Sequence, residues 1–293
     1  MQDKPDSAVL IVGCGDVGRR VAYLLRTPHY SPTCIVRSDA SLNALLEAGL
    51  DARSMDLDAD ASAAGLPGAF SDIFYLAPPP PAGGTDPRMA GFLQRLDRAA
   101  PPRRMVYIST SAVYGDCGGD WITEEQPLAP ATARGWRRLD AERRLISWCG
   151  ETGCEWTVLR VPGIYGPGKL PLARLRQGLP VLREADAPFT NRIHVDDLAA
   201  ICVAAMSSRH CNTVYNVSDG HPGTMTDYFF RVADAAGLPR PPEVGREEAQ
   251  QVLSPGMLSF LNDSRRMDNT RLLNELGITL RYPDLDAGLA SCF

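Results

Sequence analysis

The sequence predicts an α/β fold in which helices wind on both sides of a parallel sheet, and the order of its segments carries that prediction. Short β-rich runs alternate with helical stretches through the first half of the chain, the pattern of parallel βαβ units and not of hairpins. Strands are expected over 8–12, 33–36, 73–76, 105–109 and 157–160. Helices are expected over 17–26, 41–48, 88–99 and 134–149, where apolar residues recur every three or four positions. Right-handed crossovers between parallel neighbours then give a doubly wound sheet.

The first strand, Ala8-Val9-Leu10-Ile11-Val12, is apolar throughout, as a strand buried on both faces must be. It runs into Gly13-Cys14-Gly15-Asp16-Val17-Gly18, and the first helix opens inside that turn. A G-x-G-x-x-G turn between strand and helix is the fingerprint of a Rossmann-type dinucleotide site. Gly13 permits the tight turn, Gly15 lets a pyrophosphate approach the backbone, Gly18 lets helix and strand pack closely, and the helix N-terminus offers free N–H groups.

The second strand ends Ile35-Val36-Arg37-Ser38. About twenty residues past the loop, a carboxylate reads the ribose 2′-hydroxyl of NAD, whereas an arginine accommodates the 2′-phosphate of NADP. Arg37 and Ser38 therefore favour NADP. NAD stays open, because Asp39 is adjacent and Arg37 can also be read as a solvated surface charge. Asp56 and Leu57 follow a short run that serves as a third strand, where they would flank the adenine.

The next strand is followed by Ala77-Pro78-Pro79-Pro80-Pro81-Ala82-Gly83-Gly84. Proline lacks the N–H donor and fixes its own dihedral, so this is a loop at the strand's carboxyl end. After Gly163 the βαβ rhythm weakens. Residues 7–163, completed by 189–218, read as the dinucleotide-binding domain, and 164–188 with 219–293 as a smaller C-terminal substrate-binding part.

The chain has 293 residues with 26 Gly and 24 Pro and a net charge of -5, and no basic stripe is present to track a nucleic-acid backbone. A small-molecule substrate is the expected partner. The polar Met1–Ser7 segment lacks the apolar core of a signal peptide and no later run would span a bilayer, so a cytoplasmic protein without membrane contact is expected. The 8 cysteines are dispersed and read as reduced thiols. Cys149 and Cys154, the closest pair, read as small buried residues, with redox or zinc chemistry as the alternative. No metal site is expected.

Beyond the glycine loop, several segments resemble the extended short-chain dehydrogenase/reductase family, specifically its atypical, nucleoside-diphosphate-sugar epimerase-like branch. They are Ser109-Thr110-Ser111-Ala112-Val113-Tyr114-Gly115, Arg138-Leu139-Asp140-Ala141-Glu142, and Leu159-Arg160-Val161-Pro162-Gly163-Ile164-Tyr165-Gly166-Pro167-Gly168. Arg192-Ile193-His194-Val195-Asp196-Asp197-Leu198, Tyr215-Asn216-Val217-Ser218-Asp219, Asn269 to Leu272 and Tyr282-Pro283 complete the set. The resemblance implies an NAD(P)-dependent oxidoreductase or epimerase acting on a small polar or nucleotide-sugar substrate, with chemistry at a Ser/Thr, a Tyr and a Lys. It places Thr110 on the reacting oxygen, Pro162 to Ile164 beside the nicotinamide, and Ala77 and Pro78 along the cofactor. It also implies pairing of two copies through the helix over 134–149, whose Leu139, Leu145, Ile146 and Trp148 would serve either that interface or the chain's own core.

The sequence departs from the family where the chemistry would lie. The Tyr-x-x-x-Lys pair falls on Arg134 and Arg138. Guanidinium stays protonated and has no acceptor, so it cannot act as a base. Spaced four apart on a helix, the two arginines share a face, where they would hold the cofactor ribose or an anionic group, or else stand as solvated charges. Tyr114 and Tyr165, expected near the cleft, would replace the missing tyrosine and touch substrate, or pack in the core.

Ser111 and Ala112 replace the acidic residues of the dehydratase branch. Arg192 and His194 alternate along a strand as an anion clamp. The family's arginine lies four positions before that histidine, where this chain has Thr190. His194 and Asp196 would bind a metal only with a third ligand, and otherwise cap the following helix. A non-catalytic dinucleotide-binding or redox-sensing protein is the alternative to an enzyme.

Overall fold

A computed structural model describes residues 8–27, 31–59, 65–66 and 68–293; segment 1–7, including the start expected for the first domain, lies outside the described residues. The apolar run before the glycine loop forms β1 (Val9–Val12), and the helix opened by the loop is α1 (Asp16–Leu25). They are followed by β2 (Thr33–Val36), α2 (Asp39–Glu47), β3 (Asp51–Ser54), β4 (Asp72–Tyr75), α3 (Pro87–Gln94), β5 (Arg104–Thr110), α4 (Ala133–Thr152) and β6 (Glu155–Val161). Then come β7 (Gly163–Tyr165), β8 (Arg192–His194), α5 (Val195–Ser207), β9 (Thr213–Asn216), α6 (Met225–Ala235) and α7 (Pro255–Leu261). The 7-stranded sheet has the order β9-β6-β5-β4-β1-β2-β3, and its pairs are parallel.

The period-two geometry of a strand sorts β1 between two cores. Val9 and Ile11 pack with Val21 and Ala22 of α1 and Leu198, Ile201 and Cys202 of α5. Leu10 and Val12 face the other layer, with Met89 and Phe92 of α3 and Leu145 and Trp148 of α4. Leu145 and Trp148 therefore serve this layer, and Leu139 is buried in a satellite cluster with Tyr114 and Met267.

Helix ends follow local chemistry. Thr132 caps α4 by accepting from the Gly135 N–H, and Gly153 ends it at a φ of 79°. The helix expected over 88–99 starts one residue earlier, where Asp86 caps it at Pro87, and stops after Gln94. Beyond β6, α6 packs Phe229 and Val232 against Tyr165, Leu285 and Leu289. Among the described residues, no helix is long and apolar enough to cross a membrane, and the cysteines are unpaired.

Candidate functional site

The loop between β1 and α1 is shaped by close approach. Gly13 has a φ of +84°, and a Cβ on it would fall 2.5 Å from the Ala77 Cα, so only glycine lets the loop lie against the end of β4. The Gly13 and Cys14 N–H groups both donate to the Ile35 carbonyl, at 3.0 and 2.9 Å, tying the turn to β2. A Cβ on Gly18 would lie 3.2 Å from the Ile11 side chain, the tight helix-on-strand contact.

At Gly15 a Cβ would meet nothing within 4 Å, and α1 begins there without a side-chain cap. Uncapped N–H groups fronting open space fit a pyrophosphate. The side chains beside them look elsewhere. Cys14 and Val17 pack into the core, and Asp16 pairs with Lys169 at 3.0 Å and Arg20 at 3.4 Å. Burial pushes the Asp16 carboxyl up, but the bond from Lys169 and the neighbouring cations outweigh it and hold the group below its usual range.

At the far end of this cradle Arg37 is exposed, 3.9 Å from Asp58. The Ser38 oxygen is committed to capping α2, accepting from the Ser41 N–H at 3.3 Å. Asp56 is exposed and accepts from the Asp58 N–H at 2.9 Å, while Leu57 packs on the core beside α3. Asp58, which sequence reasoning missed, is gripped by Arg88 through two bonds of 2.6 Å, and those bonds hold its carboxyl below the usual range. Arg88 also donates to the Pro78 carbonyl at 3.0 Å, so the loop after β4 is stapled to the end of β3.

The carboxyl ends of β5 and β6 open onto a cavity of about 430 Å³ lined by Thr110, Arg134, Arg138, Pro162, Gly163, Ile164 and Arg192. The Thr110 oxygen accepts from the Ala112 N–H at 3.3 Å, which leaves its O–H to donate. One nitrogen of Arg138 donates to the Ile108 carbonyl at 2.9 Å, the Tyr107 hydroxyl at 3.3 Å and the Ala77 carbonyl at 3.5 Å. Arg138 thus links the cavity to the residue on which Gly13 rests. Gly163 makes room for Arg192, since a Cβ there would fall 2.4 Å from its guanidinium. Desolvation pushes the Arg192 guanidinium down from its ordinary range, yet an arginine stays protonated.

A structure of a protein of unknown function from Silicibacter pomeroyi superposes with a TM-score of 0.85 at 31% identity, covering 97% of each chain. Residues 91–218 match the model of the NAD dependent epimerase/dehydratase family. The chain belongs to that family. Its curated relatives include the 3-diazoavenalumate denitrifying reductase of a Streptomyces species, 27% identical over 305 residues covering 96% of this chain and 98% of that protein. The fold is shared with MoeE5 in complex with UDP-glucose and NAD, at a TM-score of 0.72 and 22% identity over 97% of this chain and 96% of that one.

In this member of the epimerase/dehydratase family, the candidate tyrosines stand away from the cavity. Tyr114 is 1% exposed; its hydroxyl donates to Asn216 at 2.7 Å and accepts from Arg160 at 2.9 Å, and burial pushes its pKa up to about 12. Tyr165 is fully buried and donates to the Asp284 carbonyl at 3.1 Å, where Gly288 leaves no room for a Cβ. Both expectations of substrate contact are corrected, because each phenol is sealed into packing.

His194 is not part of an anion clamp but takes the helix-capping role that the sequence also offered. It is buried, its Nδ1 accepts from the Asp196 N–H at 3.2 Å to cap α5, and its Nε2 lies 3.1 Å from the Ser291 hydroxyl. Arg192 alone of that pair reaches the cavity. No group of His, Cys, Asp or Glu among the described residues is placed to hold a metal ion.

Missed at the sequence level are Met225, Tyr228 and Phe229 of α6, and Asp263 with Arg265, which lie 3.4 Å apart in the cavity wall. Arg265 also donates to the Gly115 carbonyl, and Asn191 ties that segment down, donating to the Arg265 carbonyl at 3.1 Å and accepting from the Met267 N–H at 2.8 Å.

Proposed function

We propose that this chain binds NAD(P) on the Gly13–Gly18 loop and reduces a small anionic substrate in the cavity, with Thr110 donating to the reacting oxygen. The observation that carries the reading is Arg138, which lines the cavity while bonded to Ala77, the residue that supports the glycine loop. When bound, the nicotinamide would supply hydride.

The chain's own groups favour reduction over oxidation. Oxidising a hydroxyl requires a base for its proton, and neither Arg134 nor Arg138 accepts one. Asp263 is engaged by Arg265, and burial pushes the Tyr228 phenol up, so it stays protonated near neutral pH. Fixed guanidiniums are instead suited to steady the negative charge that grows on an oxygen as hydride arrives, and the protonated Tyr228 phenol of the cavity wall, or water, would supply the proton that completes the hydroxyl. Arg37 supports NADP, and Asp58 beside it offsets part of the attraction for a 2′-phosphate.

A second reading, binding without catalysis, is favoured by the commitment of one Arg138 nitrogen to the Ile108 and Ala77 carbonyls. The test mixes purified protein with NADPH or NADH and a panel of carbonyl and diazo compounds, alongside UDP-glucose for epimerisation. Oxidation of the reduced cofactor is expected. Fluorescence quenching on binding with no oxidation and no epimerisation across the panel defeats the enzymatic reading.

A further inference from the structure

The other buried arginines and the polar groups of the cavity indicate what kind of anion it takes. Of the buried arginines, Arg88, Arg104, Arg160 and Arg265 lie within 4 Å of a carboxylate, at 2.6, 2.7, 2.9 and 3.4 Å respectively, whereas Arg137 is held, among the described residues, only by the Gly83 carbonyl, at 2.7 Å. Arg192 has no carboxylate partner among the described residues. It donates to the adjacent Asn191 carbonyl at 2.9 Å and points a second nitrogen at the Met225 sulfur at 3.5 Å, and its Nε has no acceptor. A desolvated guanidinium so weakly satisfied favours an anion strongly.

Asp219 lies near enough to act on its charge, and the cavity wall beside Arg192 is aromatic and apolar. The guanidinium lies 4.1 Å from the centre of the Tyr228 ring, and Phe189, Ile164, Phe229 and Met257 complete that end of the cavity. Two of the neutral polar side chains nearby are already committed, while the Tyr228 and Thr110 hydroxyls keep a donor for the cavity. Thr190 donates to the Gly223 carbonyl at 3.3 Å, and both ends of the Asn191 amide are bonded. Beside Tyr228 a planar apolar body loses nothing to this wall, whereas most hydroxyls of a sugar ring would face aromatic and thioether surface. Arg265, another cation of the cavity wall, is held by Asp263 and the Gly115 carbonyl and is less available to a pyrophosphate.

We propose, building on the reductase reading above, that the substrate is an aromatic carboxylate, its carboxylate paired with Arg192 and its ring lying against Tyr228 and the methionines. A bidentate carboxylate gives Arg192 two charge-assisted bonds, and the ring fills the apolar wall. The reacting group then extends towards Thr110.

The test is a calorimetric titration of the NADP⁺-saturated protein with benzoate and 3-phenylpropanoate, with benzamide as the uncharged analogue and UDP and UDP-glucose as competitors in kind. The carboxylates should bind on the order of tenfold to a hundredfold more tightly than benzamide. Arg192→Met should erase that difference while NADP⁺ binding persists, and Arg192→Lys should retain part of it. The wild-type comparison of benzoate with benzamide needs no variant. Equal binding of the two, or tighter binding of UDP than of either carboxylate, overturns the proposal. Carboxylate binding that depends on Arg192 without any turnover defeats only the reductase reading, and oxidation of NADPH by carbonyl substrates that lack a carboxylate, with none by aromatic carboxylates, defeats only this one.

Discussion

Behind the cavity, Glu142 and Arg160 form a fully buried ion pair whose removal has a calculable effect. Glu142 is 1% and Arg160 5% exposed. The carboxylate accepts from Arg160 Nε at 3.3 Å and Nη2 at 2.9 Å and also from the Ser109 hydroxyl, while Arg160 Nη1 donates to Tyr114 at 2.9 Å. Glu142→Gln keeps the shape and an acceptor for Ser109. It removes the only carboxylate within 4 Å of Arg160 among the described residues and sets an amide against a guanidinium donor. Stripping one partner from a buried pair costs about 3–5 kcal/mol, because the other charge is left uncompensated. Against a total stability of roughly 5–15 kcal/mol, that is a large fraction. Urea denaturation followed by circular dichroism measures it. Removing both charges with Glu142→Leu and Arg160→Met should restore most of the loss, since it leaves no uncompensated charge and only the Ser109 hydroxyl without its acceptor. A single substitution costing under about 1 kcal/mol, or a double one no better than the single, would refute the reasoning.

Other perturbations separate fold from binding. Gly13→Ala forces a left-handed φ and a backbone clash and should destabilise the protein by about 2–5 kcal/mol. Gly15→Ala should leave the melting temperature unchanged yet abolish quenching of NADPH fluorescence, because its methyl would stand in the open space before α1; full quenching would contradict the phosphate assignment. Arg37→Ala should weaken NADPH binding on the order of tenfold and spare NADH, and unchanged discrimination would remove the argument for NADP. Asp219 is lifted by burial from an ordinary 3.8 to about 6, so the folded chain binds this proton more tightly than the unfolded one. Its contribution therefore destabilises the fold as pH rises from about 4 to about 6, by up to about 3 kcal/mol. Asp219→Asn should gain on the wild type across that window, and a constant difference between them would show that the group is not shifted.

The parts legible in the sequence are those where local pattern and tertiary role coincide. Val9 to Val12 could only be a strand buried on both faces, and the glycines after it carry their own reason in the Ala77 and Ile11 contacts. Proline spacing likewise marked the loop after β4. What holds that loop was hidden, because Arg88 and Arg138 look like ordinary helix-surface charges until the fold turns them inward. Tyr114 and Tyr165 sit in motif segments, but which way a phenol faces is decided by distant partners, Asn216 and Asp284. Tyr228, Asp263 and Arg265 lie in the region where the βαβ rhythm has lapsed, and no periodicity announces that these segments come back to cover the strand ends.

Arg138 also bears on how this family member would be converted back to the usual pair. Tyrosine and lysine placed at 134 and 138 would supply the two groups of the proton relay in one step. But the guanidinium offers one nitrogen to the Ala77 and Ile108 carbonyls and keeps the others for the cavity, whereas lysine has a single nitrogen to divide between those duties. A lysine that anchored the loop would be withdrawn from the chemistry, and one that served the chemistry would release the residue under Gly13. Repair of the catalytic pair would therefore have to be accompanied by a new anchor for the proline loop, so the arginine is an architectural commitment and not a point defect.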